Sequence, residues 1–428
     1  TRRWSYPPKA DRQSLLRQMP RVLTRGNLLI AVLLKEVSFL MRLLVILPAY
    51  EPAFAIGGGV VHSMSTLCRA LAKHGISVTV YTTNVSGSSV PLDVPLGRPV
   101  NVGGVEVRYF KSTFGPKSMF YSADLVRQMH STVREFDIAY IAGWFMWTGI
   151  KAAQVCRKNC LPVIAGIHGG FTYQARGKSR FKKKLFKELF IKRAISGAAA
   201  VRLTSRAEQK NSADWLDGRP VIVVPNPVDP QSVSPCQDKR REFRSKYNIP
   251  LNAPVLITAS RFDWMKRIDL LIEAMAKLPH WHLVVVGDFT SGTGPRLMEY
   301  ARSTAVSDRI TWTGYLERND LCVAMSASDI FALVSETENF GNVVVEAMMC
   351  GLPVLVSKET GVCEFINSRP FVITPGLSAE SITDSLSSFE RGKFNSQFDS
   401  VFIRQFAIDR FSPQVVAKQF VSELNKLL

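Results

Sequence analysis

Residues 329–357 read "DIFALVSETENFGNVVVEAMMCGLPVLVS", and the order of residue types along them points to one kind of fold. "DIFALVS" is a short apolar run of the sort buried on both faces of a parallel sheet. "TENFG" is a polar loop that ends on glycine, and "NVVVEAMMC" is a helix stopped by Gly351 and Pro353. "LPVLVS" is a second apolar run like the first. Strand, loop, helix and strand in that order make a βαβ unit, which puts the loop and the helix start at the carboxyl end of a strand. Glu338 lies in that loop and Glu346 on the second turn of the helix. Between them the amides of Gly341, Asn342 and Val343 crown a helix N-terminus, where an anion is favoured. An acidic loop followed by a surface glutamate would not explain why that helix start is ringed by groups able to bind hydroxyls.

The same alternation runs outward in both directions. Met41 opens "MRLLVILPAY", a first strand, followed by "GGGVVHSMSTLCRALAKHG", where Val60, Met64, Leu67 and Leu71 recur at helical spacing. "ISVTVYT", "FDIAYIAG" and "PVIAGIHG" are further strands, and after "VIVVPNPVD" a charged segment to about residue 250 separates a second series. That series runs through "PVLITAS", "WHLVVVGD", "RITWTG" and the opening stretch. The pattern predicts two doubly wound α/β domains with a cleft at the carboxyl ends of their strands, where open sheets of this class bind ligands. The last segment, "SPQVVAKQFVSELNKLL", predicts an amphipathic helix with Val415, Phe420, Val421 and Leu424 on one face.

The chain has 428 residues, enough for two ordinary domains, and its 46% hydrophobic and 21% charged composition is that of a globular protein. A formal net charge of +19 suggests an anionic partner: phosphate-bearing ligands, anionic lipid or nucleic acid. Nucleic acid ranks last, because no RNA- or DNA-reading signature is present. Seven scattered cysteines without a C-x-x-C pair suggest free thiols in a reducing compartment, with Cys156 and Cys160 as core filler. Residues 1–40 carry eight basic residues against Asp11 and Glu36, and their apolar run "NLLIAVLLKEVSFL" is too short to span a membrane. They form a targeting segment, an interfacial helix or sequence with no folded role.

Three further stretches put chemistry at strand ends. "IGGGVVH" (56–62) lets backbone approach a phosphate at a helix N-terminus, although a plain tight turn reads the same way. His168 in "AGIHGGF" directly follows a strand and precedes two glycines, a place for a cleft residue or a structural histidine. "ASRFDWMKRIDLLIEAM" (259–275) brings Arg261 and Lys266 to a strand–helix junction, where two cations suit a diphosphate or form a solvated basic turn.

The stretch from Glu338 to Glu346 resembles the E-x7-E signature of the retaining nucleotide-sugar glycosyltransferases of family 4. "VPNPVD" (224–229), the "SR" before Lys266, "WTGYL" (312–316) and "EAMMCGLPVL" are similar to that family's landmarks and fall in its order. The resemblance covers roughly residues 41–428. It implies a GT-B fold of two facing Rossmann-like domains, an acceptor domain over 41–228, a nucleotide-sugar domain over 229–408 and a crossover helix over 409–428. It implies that Arg261 and Lys266 bind the donor diphosphate, Glu346 the ribose, and Glu338 the transferred sugar, aided by amides of Asn339, Phe340, Gly341, Asn342 and Val343. Tyr315 and Leu316 would line the base pocket, His168 would lie near the anomeric carbon, and Gly58 and Gly59 would approach the phosphates. No metal or other cofactor is implied. A double displacement would need a carboxylate nucleophile about 5 Å from an acid, and no residue of the motif is clearly placed for that. The expected mechanism is therefore same-face transfer, with the leaving phosphate helping to deprotonate the acceptor.

The basic stretch over 176–199, with Phe181, Leu185, Phe186 and Leu189 at helical spacing, suggests docking to anionic lipid at the cytoplasmic face of a membrane. A glycan or lipid-linked acceptor would fit such a site. The rival readings are a sugar-nucleotide epimerase and a non-catalytic binding protein on the same fold. A dinucleotide oxidoreductase is weaker, since G-x-G-x-x-G is absent.

Overall fold

The computed structural model describes residues 41–86, 90–112, 120–144, 146–170, 186–216, 218–290, 292–393 and 399–427. The extension over 1–40 lies outside the described residues, as do residues 171–185, which include Phe181, Leu185 and the lysines at 182–184. Residues 42–428 pack as one unit that contains two sheets.

Most of the apolar runs form strands that are buried on both faces, as in "RLLVI", "VLITA" and "HLVVV", whereas the edge pair Pro99–Val102 and Val105–Phe110 alternates between inside and outside. In the first sheet the strands are β1 (Arg42–Ile46), β2 (Ser77–Thr83), β3 (Pro99–Val102), β4 (Val105–Phe110), β5 (Ile138–Ile141), β6 (Val163–Gly166), β7 (Ala200–Leu203) and β8 (Val221–Val223). Their order is β3-β4-β2-β1-β5-β6-β7-β8, parallel throughout except for the β3–β4 hairpin at the edge. The second sheet comprises β9 (Val255–Ala259), β10 (His282–Val286), β11 (Ile310–Gly314), β12 (Ile330–Leu333), β13 (Val354–Val356) and β14 (Val372–Ile373). Its order, β11-β10-β9-β12-β13-β14, is wholly parallel and is the doubly wound order with its switch point between β9 and β12. Ligand-binding loops are expected after those two strands, and they carry Arg261, Lys266 and Glu338.

The helices that shape the cleft are α1 (Phe54–Lys73), α2 (Ala123–Thr132), α3 (Trp147–Lys158), α4 (Arg206–Asn211), α5 (Ile268–Lys277), α6 (Gly294–Ser303), α7 (Arg318–Ser326), α8 (Asn342–Met349), α9 (Ala379–Lys393), α10 (Ser400–Phe411) and α11 (Pro413–Asn425). Pro413 at the first helical position of α11 ends α10 and turns the chain. Helix α10 lies against α8 in the second domain, whereas α11 packs on α1 in the first. The final helix therefore crosses back, as expected, on a face that includes the expected Phe420 and Leu424 but not Val415 or Val421. Val416, Ala417, Phe420 and Leu424 are buried, while Val415 is exposed and Val421 is half-buried. The 3.6-residue period through Phe420 selects positions 416, 417 and 424, so grouping Val415 and Val421 with them was a phase error.

The charged segment near residue 240 is not merely a linker. Arg244 is 1% exposed and donates to the carbonyls of Ala327, Pro250, Leu251 and Ala253. Asp329, just before β12, takes Arg240 and Arg244 on its two oxygens at 3.0 Å each, and also the amide of Val255 at 2.9 Å. A charge removed from water needs this degree of pairing to be tolerated. Cys156 is buried as expected, but Cys160 is exposed beyond the end of α3. Among the described residues, no helix is long and apolar enough to cross a membrane.

Candidate active site

The loop after β9 sorts its three cations. Asp263 accepts the amide of Met265 and caps a single turn, Trp264–Lys266. Arg267 follows in the left-handed region, with φ 48°. Its guanidinium is taken up by Asp269 at 2.9 Å and Glu336 at 3.0 Å, so it holds the loop together. Lys266 points the other way and pairs with Glu338. Arg261 is exposed, and its side chain has no hydrogen bond or ion pair among the described residues. Arg261 thus stays open to a ligand, and Lys266 is held beside it by Glu338.

Glu338 is positioned by its backbone: its amide donates to Glu359 O at 3.3 Å, and its carbonyl accepts from Gly361 N at 2.9 Å. Gly341, at φ 92°, then turns the chain into α8 in a conformation open to few residues with a side chain. Phe340 is 2% exposed and packs between Phe365 and Phe411, so its side chain anchors the loop and only its backbone can meet a ligand. Glu346 lies one turn into α8, with its Oε1 3.4 Å from Nη1 of Arg318 on α7. Burial raises the pKa of its carboxyl, and Arg318 works against that rise. Tyr315 is 70% exposed after β11, and Leu316 rests against the core.

The first domain supplies the opposite wall. Gly58 breaks α1 with φ 43° and ψ −128°, and Gly58 and Gly59 are exposed. Asn342 bridges the domains: its Nδ2 donates to Gly59 O at 3.2 Å, and its Oδ1 accepts from Asn226 at 3.0 Å. Asn339 is likewise taken up at the seam, where its carbonyl accepts from Ser205 Oγ at 2.6 Å and Thr204 Oγ1 at 3.3 Å. Gly169, at φ 74°, leaves room for it, since a Cβ there would lie 1.9 Å from Asn339 Nδ2. His168, at φ 47° at the end of β6, is half-buried with its Nε2 2.7 Å from the Tyr140 hydroxyl. Burial and then the Arg202 charge push its pKa down to about 3. His62 on α1 stacks on Phe54 at 4.2 Å. Its pKa is pushed down to about 4 by burial and by the charges of Arg318 and Arg69.

The structure therefore brings Arg261, Lys266, Glu338, Asn339, Gly341 and Asn342 to the switch point of the second sheet, against His168, Gly58 and Gly59 of the first domain. Residues 57–232 match the family described as Glycosyltransferase Family 4, and residues 239–400 match glycosyl transferases group 1. A D-inositol 3-phosphate glycosyltransferase of Mycobacterium bovis is 31% identical over 329 residues, covering 73% of this chain and 67% of that protein. The chain belongs to the group 1/family 4 glycosyltransferases. A protein of the same name from Xylanimonas cellulosilytica is 26% identical over 329 residues, covering 73% of this chain and 78% of that one. Among solved structures, sucrose-phosphate synthase of Thermosynechococcus elongatus superposes with a TM-score of 0.70 at 19% identity, covering 90% of this chain and 99% of that one. Anabaena HepE in complex with UDP and glucose gives 0.65 at 18% identity, covering 90% and 100%. These likenesses establish the GT-B fold.

Four residues of this glycosyltransferase's cleft were not picked out from sequence: Tyr140, Arg202, Ser205 and Arg318. Arg202 had a signal, a lone charge inside the apolar strand "AVRL". Ser205 also had one, since "SRAE" has the spacing of a capping box. Ser205 does cap α4, accepting from Glu208 N at 3.0 Å, but the Glu208 carboxylate instead takes the amides of Gly169 and Thr204. Arg318 had none, because nothing local ties it to Glu346.

Proposed function

We propose that this glycosyltransferase is a retaining enzyme that moves a sugar from a nucleotide-diphosphate sugar to a hydroxyl of a glycan or lipid-linked acceptor. The observation that carries this reading is the Lys266–Glu338 pair beside the exposed Arg261 at the β9/β12 switch point. A nucleotide sugar would engage both members of the pair, the ammonium through its diphosphate and the carboxylate through its sugar hydroxyls. Arg261, Lys266 and the amides of Gly341, Asn342 and Val343 neutralise the leaving diphosphate, so the reaction needs no metal or other cofactor. Glu346 holds the ribose, with Arg318 opposing the effect of burial on its carboxyl, and Tyr315 and Leu316 flank the base. His168 faces the transferred sugar, and the leaving phosphate assists in deprotonating the acceptor. The names of the relatives add a small polyol phosphate to the acceptors worth testing.

The two glutamates separate by their ligands. Glu346→Ala will weaken both the nucleoside diphosphate and the nucleotide sugar about tenfold or more, the worth of a charge-assisted hydrogen bond. Glu338→Ala will spare the diphosphate, since it releases Lys266, and will weaken the nucleotide sugar. Calorimetry on both variants decides. Equal losses of diphosphate affinity would remove Glu338 from the sugar site, and no loss in either would move the donor site elsewhere.

We assign the stretch over 176–199 to peripheral contact with anionic lipid on the cytoplasmic side. Its described end supports this by exposing Leu189 and Phe190 beside Lys192. Neutralising Lys182, Lys183 and Lys184 will weaken sedimentation with anionic vesicles at low salt by about 1 kcal/mol per lysine. Unchanged binding would return the stretch to a solvated surface.

A further inference from the structure

We propose that Tyr140 is a positioning residue that holds His168 as a neutral imidazole with its proton on Nδ1, leaving that nitrogen to donate to the transferred sugar. The inference rests on the reading of the cleft as a nucleotide-sugar site, but its geometry stands independently.

Tyr140 is 1% exposed, and its hydroxyl has two partners. One is Arg202 Nη1 at 3.3 Å and the other is His168 Nε2 at 2.7 Å. A guanidinium can only donate, so Arg202 occupies a lone pair of the phenol oxygen. The phenol's own proton is then directed to Nε2, which must be the bare nitrogen. A neutral ring with a bare Nε2 carries its proton on Nδ1. The reverse arrangement, with Nε2–H donating to the phenol, would give that oxygen two donors and strand its own hydrogen in a buried place, a cost that folded proteins avoid.

Arg202 cannot turn away to relax this choice. Its Nη2 donates to Val224 O at 3.1 Å, Pro225 O at 3.0 Å and Asn226 Oδ1 at 3.3 Å. The ring of Phe420, from α11, lies 5.8 Å from its guanidinium carbon. Asn226 in turn holds Asn342, which holds Gly59. One buried cation thus fixes the histidine tautomer, the start of α8 and the glycine loop together. The titratable and charged groups facing the Tyr140–His168 pair are Arg202 from β7, Glu208 from α4 and Cys68 from α1. Nδ1 has no partner among the described residues, and the ring is half-buried at the end of β6.

Ring-nitrogen chemical shifts of 15N-histidine protein, read from long-range 1H–15N correlations, test this directly. The chain has six histidines, and His168→Gln assigns the signal. The wild type is expected to show a protonated Nδ1 and a bare Nε2, unchanged down to about pH 5, well above the depressed pKa of about 3. Tyr140→Phe is expected to mix the two neutral tautomers, because the partner that keeps Nε2 bare is gone while burial and the Arg202 charge still disfavour the protonated ring. It should also lower kcat about tenfold and leave nucleoside diphosphate affinity unchanged. A protonated Nε2 in the wild type overturns the proposal even if the variant fails to fold, and so do unchanged ring signals in a folded Tyr140→Phe. The expected tautomer in a protein that binds no nucleotide sugar would instead overturn the proposed function and leave the positioning intact.

Discussion

Replacing Lys266 by alanine is expected to cut turnover by about a hundredfold or more, while donor affinity falls by a much smaller factor. The asymmetry arises because the charge on the departing diphosphate grows in the transition state, so a fixed cation contributes most there. Loss of one such electrostatic contact typically costs about 3 kcal/mol. Arg261→Ala is expected to act in the same direction and less severely, because Arg261 has no ion-pair partner among the described residues to strand. Lys266→Ala also leaves the carboxylate of Glu338, its partner, facing the diphosphate with like charge. The double variant Lys266→Ala/Glu338→Gln should therefore recover part of the loss from Lys266→Ala alone. Steady-state kinetics with a verified donor and acceptor check both statements, and wild-type turnover in both single variants would end the assignment.

Asp329→Ala is expected to destabilise the protein by about 3–5 kcal/mol, the usual cost of removing one partner from a buried pair. The substitution would leave the guanidinium of Arg244, 1% exposed, with carbonyl partners only, and would free the amide of Val255 at the start of β9. It lies at the amino end of β12, opposite the ligand loops, so the loss should appear as a lower urea midpoint. Nucleoside diphosphate affinity measured well below that midpoint should stay as in the wild type. A midpoint within experimental scatter of the wild type would mean that the arginines find other partners.

The two sheets were legible because strands buried on both faces print as apolar runs, as in "RLLVI", "VLITA" and "HLVVV". The β3–β4 hairpin escaped for the converse reason. It is an edge, its strands alternate between inside and outside, and its Gly103–Gly104 turn is easily passed over. Within the site, residues named by motif lie on single loops, where spacing along the chain is also spacing in space. Arg318 and Glu346 meet only after α7 and α8 dock. His168, Tyr140 and Arg202 meet only when β5, β6 and β7 align. Such long-range contacts leave no mark on local periodicity. Asn339 and Asn342 show the related limit: both were expected at the ligand, yet their side chains or carbonyls also hold the two domains together.

The return of α11 to the first domain has a consequence for biosynthesis. Phe420 lies against Tyr140 and Arg202, so part of the first domain's packing is supplied by residues made only after the whole second sheet. The final strand of that domain ends at Val223 and the helix that covers it ends at Asn425. At the usual rate of about 5–20 residues per second, the ribosome needs roughly 10–40 s to travel between them. Throughout that interval the nascent first domain carries an uncovered patch on α1 while the second domain emerges behind it. A chaperone that shields apolar surface on ribosome-bound chains would find its site there until α11 is made and docks.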